Sequence, residues 1–219
     1  MSRDNPKLLV LIDMNGTLLL REKKLVPGKV PDFVHAKKNY YIRNGAKDFV
    51  KNIMSIPQIR FAFYTSMLGT NAKPAISKLA GIGWEEDGVQ LYDRTYQKHD
   101  PSGKNKWDTM RDLEKVWKEE MTNNGYRFDS DNTVIIDDTK EKMREHPHNV
   151  LIVPELTAES LVSEARDSSV LNDVYTYILD YILHLELSSK KLSVPDYRIR
   201  FLNDIDALSR DLSNTTLTE

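Results

Sequence analysis

Five consecutive aliphatic residues, Leu8 to Ile12, stop abruptly at Asp13. An unbroken apolar run of this length is typical of a strand that is buried on both faces, as the strands of parallel sheets are. Gly16 then permits a sharp turn, and Thr17 adds a hydroxyl to it. Because ligands bind at the carboxyl ends of the strands in open α/β sheets, Asp13 is predicted to lie where chemistry occurs. The alternative is a turn without chemistry, since Asp-x-Asn-Gly is a good turn former.

Similar apolar runs recur along the chain, and segments with helical periodicity separate them. Strand-like runs cover residues 59–64, 89–92, 133–136 and 149–153. Apolar residues at helical spacing mark segments that begin near the predicted N-cap Asn44, near Lys73, at Met110 and near Val174. Strands that alternate with helices predict an α/β protein with a mostly parallel sheet flanked by helices. Residues 21–38 are predicted to form a loop or hairpin flap, and residues 93–106 a loop.

Composition excludes several classes of protein. The net charge of -2 gives no basic field for nucleic acid or an anionic membrane, and the absence of cysteine excludes disulfides and thiolate metal sites. No apolar run reaches membrane-spanning length and the N-terminus lacks a signal-peptide core, so we expect a cytoplasmic or nuclear protein. We predict a domain at residues 1–187, followed by a C-terminal helix and tail at residues 188–219. That helix, with an apolar stripe from Ile199 to Leu212, is expected to pack on the domain or on a protein partner.

Three of the predicted strands end in polar residues of complementary kinds. Asp13 follows the first run, Thr65 and Ser66 follow the second, and Asp137 and Asp138 follow a later one. Carboxylates on one rim suit a hard divalent cation, above all Mg²⁺ that bridges to phosphate oxygens. A hydroxyl and a cationic side chain would hold the remaining phosphate oxygens. The pattern therefore favours phosphate chemistry over hydride transfer or nucleic-acid binding.

Six segments together resemble one known family. They are Leu-Ile-Asp-Met-Asn-Gly-Thr-Leu at 11–18, Ile-Arg-Asn-Gly-Ala-Lys-Asp-Phe at 42–49, Phe-Tyr-Thr-Ser at 63–66, Arg-Asp-Leu-Glu-Lys-Val-Trp at 111–117, Asn-Thr-Val-Ile-Ile-Asp-Asp at 132–138 and His-Pro-His-Asn-Val at 146–150. In this order they resemble the haloacid dehalogenase superfamily, and within it the FCP/SCP (NIF-like) protein phosphatases that act on the RNA polymerase II C-terminal repeat. The resemblance covers about residues 8–187. It implies a Rossmann-like sheet without a large cap domain, and hence a site open enough for a phosphorylated protein or peptide.

The resemblance also implies a nucleophile and a metal site. Asp13 matches the nucleophile that forms an aspartyl-phosphate. Asp137 matches a Mg²⁺-ligating carboxylate, and Asp138 supports the metal or its waters. The family uses the backbone carbonyl two residues beyond the nucleophile as a further ligand, and Asn15 can still supply it. These roles are expectations until the side chains are seen together.

Phosphate binding is the next role that the resemblance implies. Thr65 matches the hydroxyl that holds the phosphoryl group, with Ser66 beside it. The register puts Arg111 at the position of the family's lysine, while Lys106 and Lys104 lie nearby on the preceding loop. Arginine can hold phosphate through two nitrogens, although the two residue types are not interchangeable. For Arg111 the alternative is a solvated charge on a helix face.

Asn15 stands where the family has a second aspartate that serves as general acid and base. An amide cannot donate and recover a proton at neutral pH, and such help is worth about 10²–10⁴-fold in rate. We therefore expect a Mg²⁺-dependent protein phosphatase that Asn15 has weakened. The alternative is a catalytically inactive pseudophosphatase that binds or scaffolds phosphoproteins. A small phospho-metabolite remains open as the substrate.

Overall fold

The computed structural model describes residues 6–103, 108–163 and 170–198. Its strands are β1 (Leu8–Ile12), β2 (Leu19–Glu22), β3 (Phe33–His35), β4 (Lys38–Ile42), β5 (Ile59–Tyr64), β6 (Gln90–Tyr92), β7 (Gln97–His99), β8 (Thr109–Arg111), β9 (Thr133–Asp137) and β10 (Val150–Ile152). The helices with both ends in the described residues are α1 (Ala46–Met54), α2 (Gly69–Leu79), α3 (Leu113–Asn124), α4 (Ala158–Val162) and α5 (Val170–Leu187). Residues 194–198 are helical as well. Strands and helices alternate through most of the chain, which is the pattern expected from its hydrophobic periodicity.

A five-stranded parallel sheet forms the centre of the fold. Its strand order is β10-β9-β1-β5-β6, and every neighbouring pair is parallel. The predicted α/β class and parallel sheet are therefore confirmed. The chain runs from β1 outward to β5 and β6, and then returns to the other side of β1 for β9 and β10. This reversal of direction beside β1 is the topological switch point at which open α/β sheets bind their ligands.

Strand β1 is buried on both of its faces. Leu8, Val10 and Ile12 belong to the core that lies against α1, α2 and α5. Leu9 and Leu11 point to the other face and pack with the apolar residues of α3. Full burial of an aliphatic side chain contributes about 1.5–3 kcal/mol, so both faces of β1 favour aliphatic residues at every position. This explains the unbroken apolar run in the sequence.

An antiparallel sheet, which we call the flap, is inserted between β1 and α1. It has the strand order β2-β4-β3, where a loop or hairpin was predicted for residues 21–38. The turn between β3 and β4 has Ala36 and Lys37 at φ values of 46° and 58°, a left-handed pair typical of tight hairpins. The turn could not be located from the sequence, because Ala-Lys stands where tight hairpins usually have Asn-Gly. His35 Nε2 lies 3.1 Å from the backbone oxygen of Thr70, which joins the flap to α2.

Two helix starts differ from the prediction. The N-cap of α1 is Gly45 at φ 76°, not Asn44, because the chain turns sharply there and only glycine adopts this backbone without strain. Helix α2 begins at Gly69, one turn before Lys73. Its first turn lacks the apolar spacing that marks the rest of the helix. This weak apolar pattern explains why the start of α2 was predicted too late in the sequence.

The segment before α3 is also different from the prediction. Met110 does not begin the helix but lies on β8, which pairs with β7 in a short antiparallel hairpin. Helix α3 begins at Leu113, where Asp112 caps it by accepting a hydrogen bond of 3.1 Å from the backbone N–H of Lys115. The predicted loop at 93–106 therefore contains a strand within its described part. A strand of three residues carries too little periodicity to be recognised in sequence.

A buried acid links α3 to the central sheet. Glu120 is fully buried and accepts hydrogen bonds from Arg60 Nε at 3.0 and 3.1 Å. It also accepts the hydroxyl proton of Tyr92 at 2.6 Å and an amide proton of Asn124 at 2.9 Å. Burial and the neighbouring carboxylate raise the pKa of Tyr92, so the phenol stays protonated as a donor. The four groups form a buried polar network within the second core, in which Arg60 Nη2 has no hydrogen-bond partner among the described residues.

The predicted apolar stripe of the C-terminal third is confirmed in α5. Its buried face joins the main core, and Val194 belongs to the same core. The ring of Tyr197 lies 4.9 Å from that of Tyr181, centroid to centroid. Residues 194–198, within the predicted C-terminal helix and tail, are helical. The apolar stripe from residue 199 to 212 lies outside the described residues, and the domain boundary at residue 187 stays a prediction. Among the described helices, none is both long and apolar enough to cross a membrane.

Candidate functional site

The ends of three neighbouring strands bring the predicted site residues to one rim of the sheet. Asp13 directly follows β1, and its backbone N–H donates to the carbonyl of Ile136 on β9 at 2.8 Å. Thr65 directly follows β5, and Asp137 is the last residue of β9. Because β9, β1 and β5 are adjacent and parallel, their carboxyl ends meet at the same edge. The sheet order thus brings together residues that are far apart in sequence.

Three carboxylates gather at this rim. Oxygens of Asp13, Asp137 and Asp138 lie within 4.8 Å of one another. Asp13 and Asp137 are buried, and Asp138 is half-buried. Gly16 makes room for the third acid, since a Cβ at this position would lie 2.5 Å from Asp138 Oδ2. With its φ of +90°, Gly16 is also a position where other residues are strained.

Arg111 joins two of these acids. It ends β8 and is 1% exposed, so the alternative of a solvated charge on a helix face is wrong. Its Nη2 donates to Asp13 Oδ1 at 2.7 Å and to Asp137 Oδ2 at 2.6 Å, and its Nε donates to the same Asp137 oxygen at 2.9 Å. The guanidinium carbon lies 4.7 Å from the centre of the Tyr64 ring, which packs against it. The arginine fork therefore fixes the orientation of both carboxylates.

The surroundings of Asp13 oppose its ionisation, chiefly through burial. Burial raises the pKa of Asp13 to about 6, and Arg111 lowers it, so the rise is smaller than burial alone would give. Asp137 and Asp138 raise the pKa further by repulsion, while Lys142 lowers it. Three carboxylates and one guanidinium amount to two negative charges at the rim when all are ionised. A divalent cation would neutralise this charge.

The donor set fits Mg²⁺, which prefers oxygen ligands from one or two carboxylates and keeps several waters. Asp137 already accepts from Arg111 through Oδ2 and from the backbone N–H of Thr139 through Oδ1, at 2.9 Å in the second case. Asp138 accepts only long hydrogen bonds of 3.3 Å, one of them from Thr17. Asp13 and Asp138 therefore have the freest oxygens for a metal, and Asp137 has the most restrained.

The side chain of Asn15 faces the flap. It is exposed, and its Oδ1 accepts a hydrogen bond of 3.0 Å from the backbone N–H of Arg21 at the third position of β2. The residue thus connects the loop that carries Asp13 to the inserted sheet. An aspartate here could accept the same hydrogen bond, because only an oxygen acceptor is needed. The Asn15 amide accepts this hydrogen bond but cannot serve as a general acid or base.

A cavity of about 310 Å³ opens in front of Asp13. Both predicted hydroxyl residues line it: Thr65 is buried, with Oγ1 accepting from the backbone N–H of Met67 at 3.2 Å, and Ser66 donates to Gln97 at 3.1 Å. Arg111 does not line this cavity. Three cations do, and none of them was singled out from the sequence: Arg21, Arg94 and Lys142.

These three cations lie on separate elements that the sequence does not connect. Arg21 is on the flap and Arg94 follows β6, while Lys142 is in the 3-10 turn Lys140–Met143 after β9. Isolated basic residues in polar segments are usually solvated surface, so no sequence signal distinguishes them. Lys106, the other predicted phosphate-binding cation, and Lys104 lie outside the described residues.

Arg43 was also missed, and it holds the loop beyond Asp13 from beneath. It is buried and donates to the backbone oxygen of Thr17 at 2.6 Å, of Gly16 at 3.0 Å and of Pro154 at 2.7 Å. The backbone N–H of Leu156 adds a hydrogen bond of 2.6 Å to Gly16. Charge-assisted bonds of this kind are about twice as strong as neutral ones. The loop that presents the nucleophile candidate is therefore rigidly supported.

Known proteins are similar to this chain in sequence. The family model named NLI interacting factor-like phosphatase matches residues 7–186. An uncharacterized FCP1 homology domain-containing protein of Schizosaccharomyces pombe is 29% identical over 194 residues, which is 84% of this chain and 72% of that protein. The predicted resemblance to the FCP/SCP (NIF-like) phosphatases is confirmed by the family model.

Two solved structures are similar in fold at a TM-score of 0.46. One is Fcp1, an essential RNA polymerase II CTD phosphatase, at 15% identity over 95% of this chain and 64% of that one. The other is a variant of fission yeast Fcp1 bound to beryllium fluoride, at 14% identity over 96% of this chain and 65% of that one. This chain thus spans a little under two thirds of the length of either structure. Since the family model matches most of its length, the chain belongs to the NLI interacting factor-like phosphatases.

Proposed function

We propose that this chain hydrolyses phosphate monoesters on serine, threonine or tyrosine side chains of proteins, with Asp13 as the nucleophile. One observation carries the proposal: the Asp13 carboxylate is held by Arg111 at 2.7 Å on the rim of an open cavity that hydroxyls and cations line. The cavity is at the lower end of the about 300–1,000 Å³ typical of ligand sites. It suits a phosphorylated side chain rather than a large cofactor.

The reaction proceeds in two displacements. An oxygen of Asp13 attacks phosphorus, the ester oxygen leaves, and an aspartyl-phosphate remains on Asp13. Water then attacks this phosphorus, which releases inorganic phosphate and restores the carboxylate. Thr65 holds the phosphoryl oxygens, and Lys142 faces them with its positive charge. Arg111 holds Asp13 in place, and is therefore a positioning residue in this proposal.

Mg²⁺ fits beside these groups, with Asp13, Asp138 and Asp137 as its carboxylate ligands and the backbone carbonyl of Asn15 as a further one. When bound, it supplies the positive charge that phosphoryl transfer needs, since this reaction depends on positioning and electrostatics. A bound cation would favour the ionised form of Asp13, whose pKa is raised by burial and, to a smaller extent, by Asp137 and Asp138. The carboxylate is then ionised, as a nucleophile must be.

Asn15 limits the rate of both displacements. Its amide cannot protonate the leaving oxygen and cannot take a proton from the attacking water, so a factor of about 10²–10⁴ is lost. An aryl phosphate suffers least, because a phenolate leaves without a proton. We expect slow turnover on phosphoserine and faster turnover on aryl phosphates.

A pseudophosphatase that binds phosphoproteins without hydrolysis is the second candidate. The observation that favours it is the exposed Asn15 side chain, whose oxygen is occupied by the backbone of Arg21. Binding needs the cavity, its hydroxyls and its cations, and none of these depends on an acid at position 15. Both candidate functions therefore involve the same phosphorylated ligand, and only the phosphatase hydrolyses it.

One assay separates the candidates: release of phosphate from an aryl phosphate with Mg²⁺. The variants are Asp13→Asn, which removes the nucleophile, and Asn15→Asp, which keeps the acceptor for the flap and adds an acid. Asp48→Asn is the matched control, because Asp48 is exposed on α1, away from the rim. We expect weak wild-type activity, none in Asp13→Asn, and an increase of about 10²-fold or more in Asn15→Asp.

Two outcomes would change the assignment. Hydrolysis that survives in Asp13→Asn would exclude Asp13 as the nucleophile. An inert wild type that Asn15→Asp activates would favour the pseudophosphatase, because the machinery would then be complete except for the acid. Binding of a phosphopeptide, measured by calorimetry, shows in either case whether the cavity takes phosphate.

A further inference from the structure

We infer that the cavity in front of Asp13 takes a phosphorylated residue together with a second anionic group beside it, either an acidic side chain or a second phosphate. Arg21 and Arg94 are the residues that select this second group. The inference rests on the proposed function, since it assumes that the first group is a phosphate at Asp13. It adds a substrate class: phosphopeptides whose phosphorylated residue has an anionic neighbour.

The positive charges at the site exceed those needed to balance one phosphate group. A divalent cation balances the two negative charges that remain on the acids and Arg111 at the rim. A phosphate monoester then adds two negative charges when fully ionised. Against these stand the three cations that line the cavity, Arg21, Arg94 and Lys142. One positive charge is left over, and an anionic neighbour on the substrate would match it.

Lys142 and the two arginines face different parts of the ligand. Lys142 lines the cavity together with Asp13 and lies in the turn after β9, so we assign it to the transferred phosphoryl group. Arg21 is on the flap and Arg94 follows β6, so they belong to other walls of the cavity. The phosphoryl group is thus matched by Lys142 together with Thr65. The arginines remain for the flanking group.

Both arginines are available to a ligand. Arg21 Nε is buried without a hydrogen-bond partner among the described residues, and the guanidinium carbon lies 5.8 Å from the centre of the Tyr40 ring. A buried donor without a partner is uncommon in native structures, and this one can donate to an accepting atom of a ligand. In the described part of the chain, no carboxylate forms an ion pair with Arg21 or Arg94.

Arg94 is held in position by the cavity wall itself. Its Nε donates to the backbone oxygen of Ser66 at 2.9 Å, next to Thr65. The neighbouring Asp93 forms no ion pair with it among the described residues, and its carboxylate instead accepts from the backbone N–H of Gly69 at 2.8 Å and from Thr95. The guanidinium of Arg94 therefore has nitrogens that can donate to an incoming anion.

The flap extends the positive field beyond the cavity. Desolvation lowers the pKa of Lys38, repulsion from Lys23 and Arg21 lowers it further, and Glu22 acts in the opposite direction. Lys23 and Lys24 are exposed next to Arg21. A field of one sign along one wall raises the local concentration of an anionic ligand. The flap therefore favours acidic over neutral sequence around the phosphorylated residue.

The test measures binding of peptides that carry a non-hydrolysable phosphonate in place of phosphoserine, in the presence of Mg²⁺. One set has glutamine on both sides of the phosphonate, the second has glutamate there, and the third has leucine. An unphosphorylated peptide is the baseline. Exposed ion pairs are worth about 0.2–1 kcal/mol each, which is about 1.4- to 5-fold in affinity. We expect the glutamate peptide to bind about 3- to 10-fold tighter than the glutamine peptide at low salt.

The variants Arg21→Gln and Arg94→Gln should each reduce this preference, and the double variant should abolish it. Arg127→Gln is the matched control, since Arg127 is exposed and lies before the start of β9, at the opposite edge of the sheet. Added salt should weaken the preference, because exposed charges are screened within about 10 Å at 0.1 M.

Equal binding of the glutamate and glutamine peptides would overturn the inference. So would a preference for leucine, which would assign this part of the cavity to the exposed apolar residues Leu25 and Val30 of the flap. A preference that persists in the double variant would also overturn it. Failure of the proposed function has a different result: no phosphonate peptide would bind more tightly than the unphosphorylated baseline, whatever its neighbours.

Discussion

Arg111→Met should destabilise the metal-free protein strongly at neutral and basic pH. In the wild type the guanidinium makes three charge-assisted hydrogen bonds, one to Asp13 and two to Asp137, and all three side chains are buried. Methionine fills much of the volume but removes the charge. Two buried carboxylates then face each other without a cation. Loss of one partner of a buried ion pair costs about 3–5 kcal/mol, so the free energy of unfolding should fall by about this amount.

The loss should depend on pH in a defined direction. The folded-state pKa of Asp13 is raised to about 6 in the wild type, and removal of Arg111 raises it further. A carboxyl with a raised folded-state pKa is favourable to folding while it stays protonated, and this stability is lost as the pH rises through that pKa. The free energy of unfolding of Arg111→Met should therefore fall most at pH 8. At pH 5 the proton on Asp13 removes the repulsion, and the loss should be smaller.

Urea unfolding with a chelator present, at pH 5 and pH 8, measures both effects. Arg127→Met is the control: its charge is exposed, and such changes are worth about 0.5 kcal/mol or less. Mg²⁺ should restore part of the stability of Arg111→Met, because it also neutralises the acids. A loss below about 1 kcal/mol at pH 8, or an equal loss at both pH values, would refute the view that Arg111 relieves repulsion between Asp13 and Asp137.

Two further predictions concern packing around buried acids. Gly16→Ala should cost about 1–2 kcal/mol through its left-handed backbone and should also weaken Mg²⁺ binding, because its Cβ would displace Asp138. Gly81→Ala has a similar φ, +98°, but open space around it, so unchanged metal affinity is expected there, and equal metal affinity in both variants would contradict the steric argument. Glu120→Gln should lower the free energy of unfolding by about 1.5–3 kcal/mol, since its amide N–H₂ cannot accept the hydrogen bonds that the carboxylate receives. Denaturant midpoints and the fluorescence of Tyr92 and its neighbours measure this, and a change under about 0.5 kcal/mol would contradict it.

The central sheet could be predicted because its strands are buried on both faces. The Leu8–Ile12 run is apolar at every position since both cores need it. The runs that became β5 and β9 are mostly apolar for the same reason, with Arg60 and Thr133 as polar positions before their carboxyl ends. Their carboxyl ends then had to share an edge. The rim that carries Asp13, Thr65 and Asp137 follows from this topology alone.

A flap was predicted at residues 21–38, but its strands and the hairpin before α3 could not be predicted, for the opposite reason. Their strands have three to five residues, and the flap buries only part of its side chains. Arg111 therefore seemed to belong to the amphipathic helix that follows it in sequence. The burial of Arg111 depends on the pairing of β7 with β8. The local sequence does not indicate which distant carboxylates an arginine will bind.

The cavity cations depend on the same long-range information. Arg21, Arg94 and Lys142 come from three separate segments, and each is surrounded by polar residues in sequence. Only the folded chain shows that they share a cavity. Arg43 differs, since it lies within a segment that carries the family resemblance. Its three carbonyl partners, however, are backbone atoms, which no residue pattern reveals.

The position of β1 in the sheet has a consequence for how a nascent chain assembles. On the ribosome, the partner strand β5 follows β1 after a few dozen residues, so one edge is covered early. The other edge pairs with β9, which is made roughly 120 residues after β1 ends. At about 5–20 residues per second, that gap lasts roughly 6–24 s. During this interval an entirely aliphatic strand has an open edge, and this is the period in which a chaperone would protect the newborn protein from self-association.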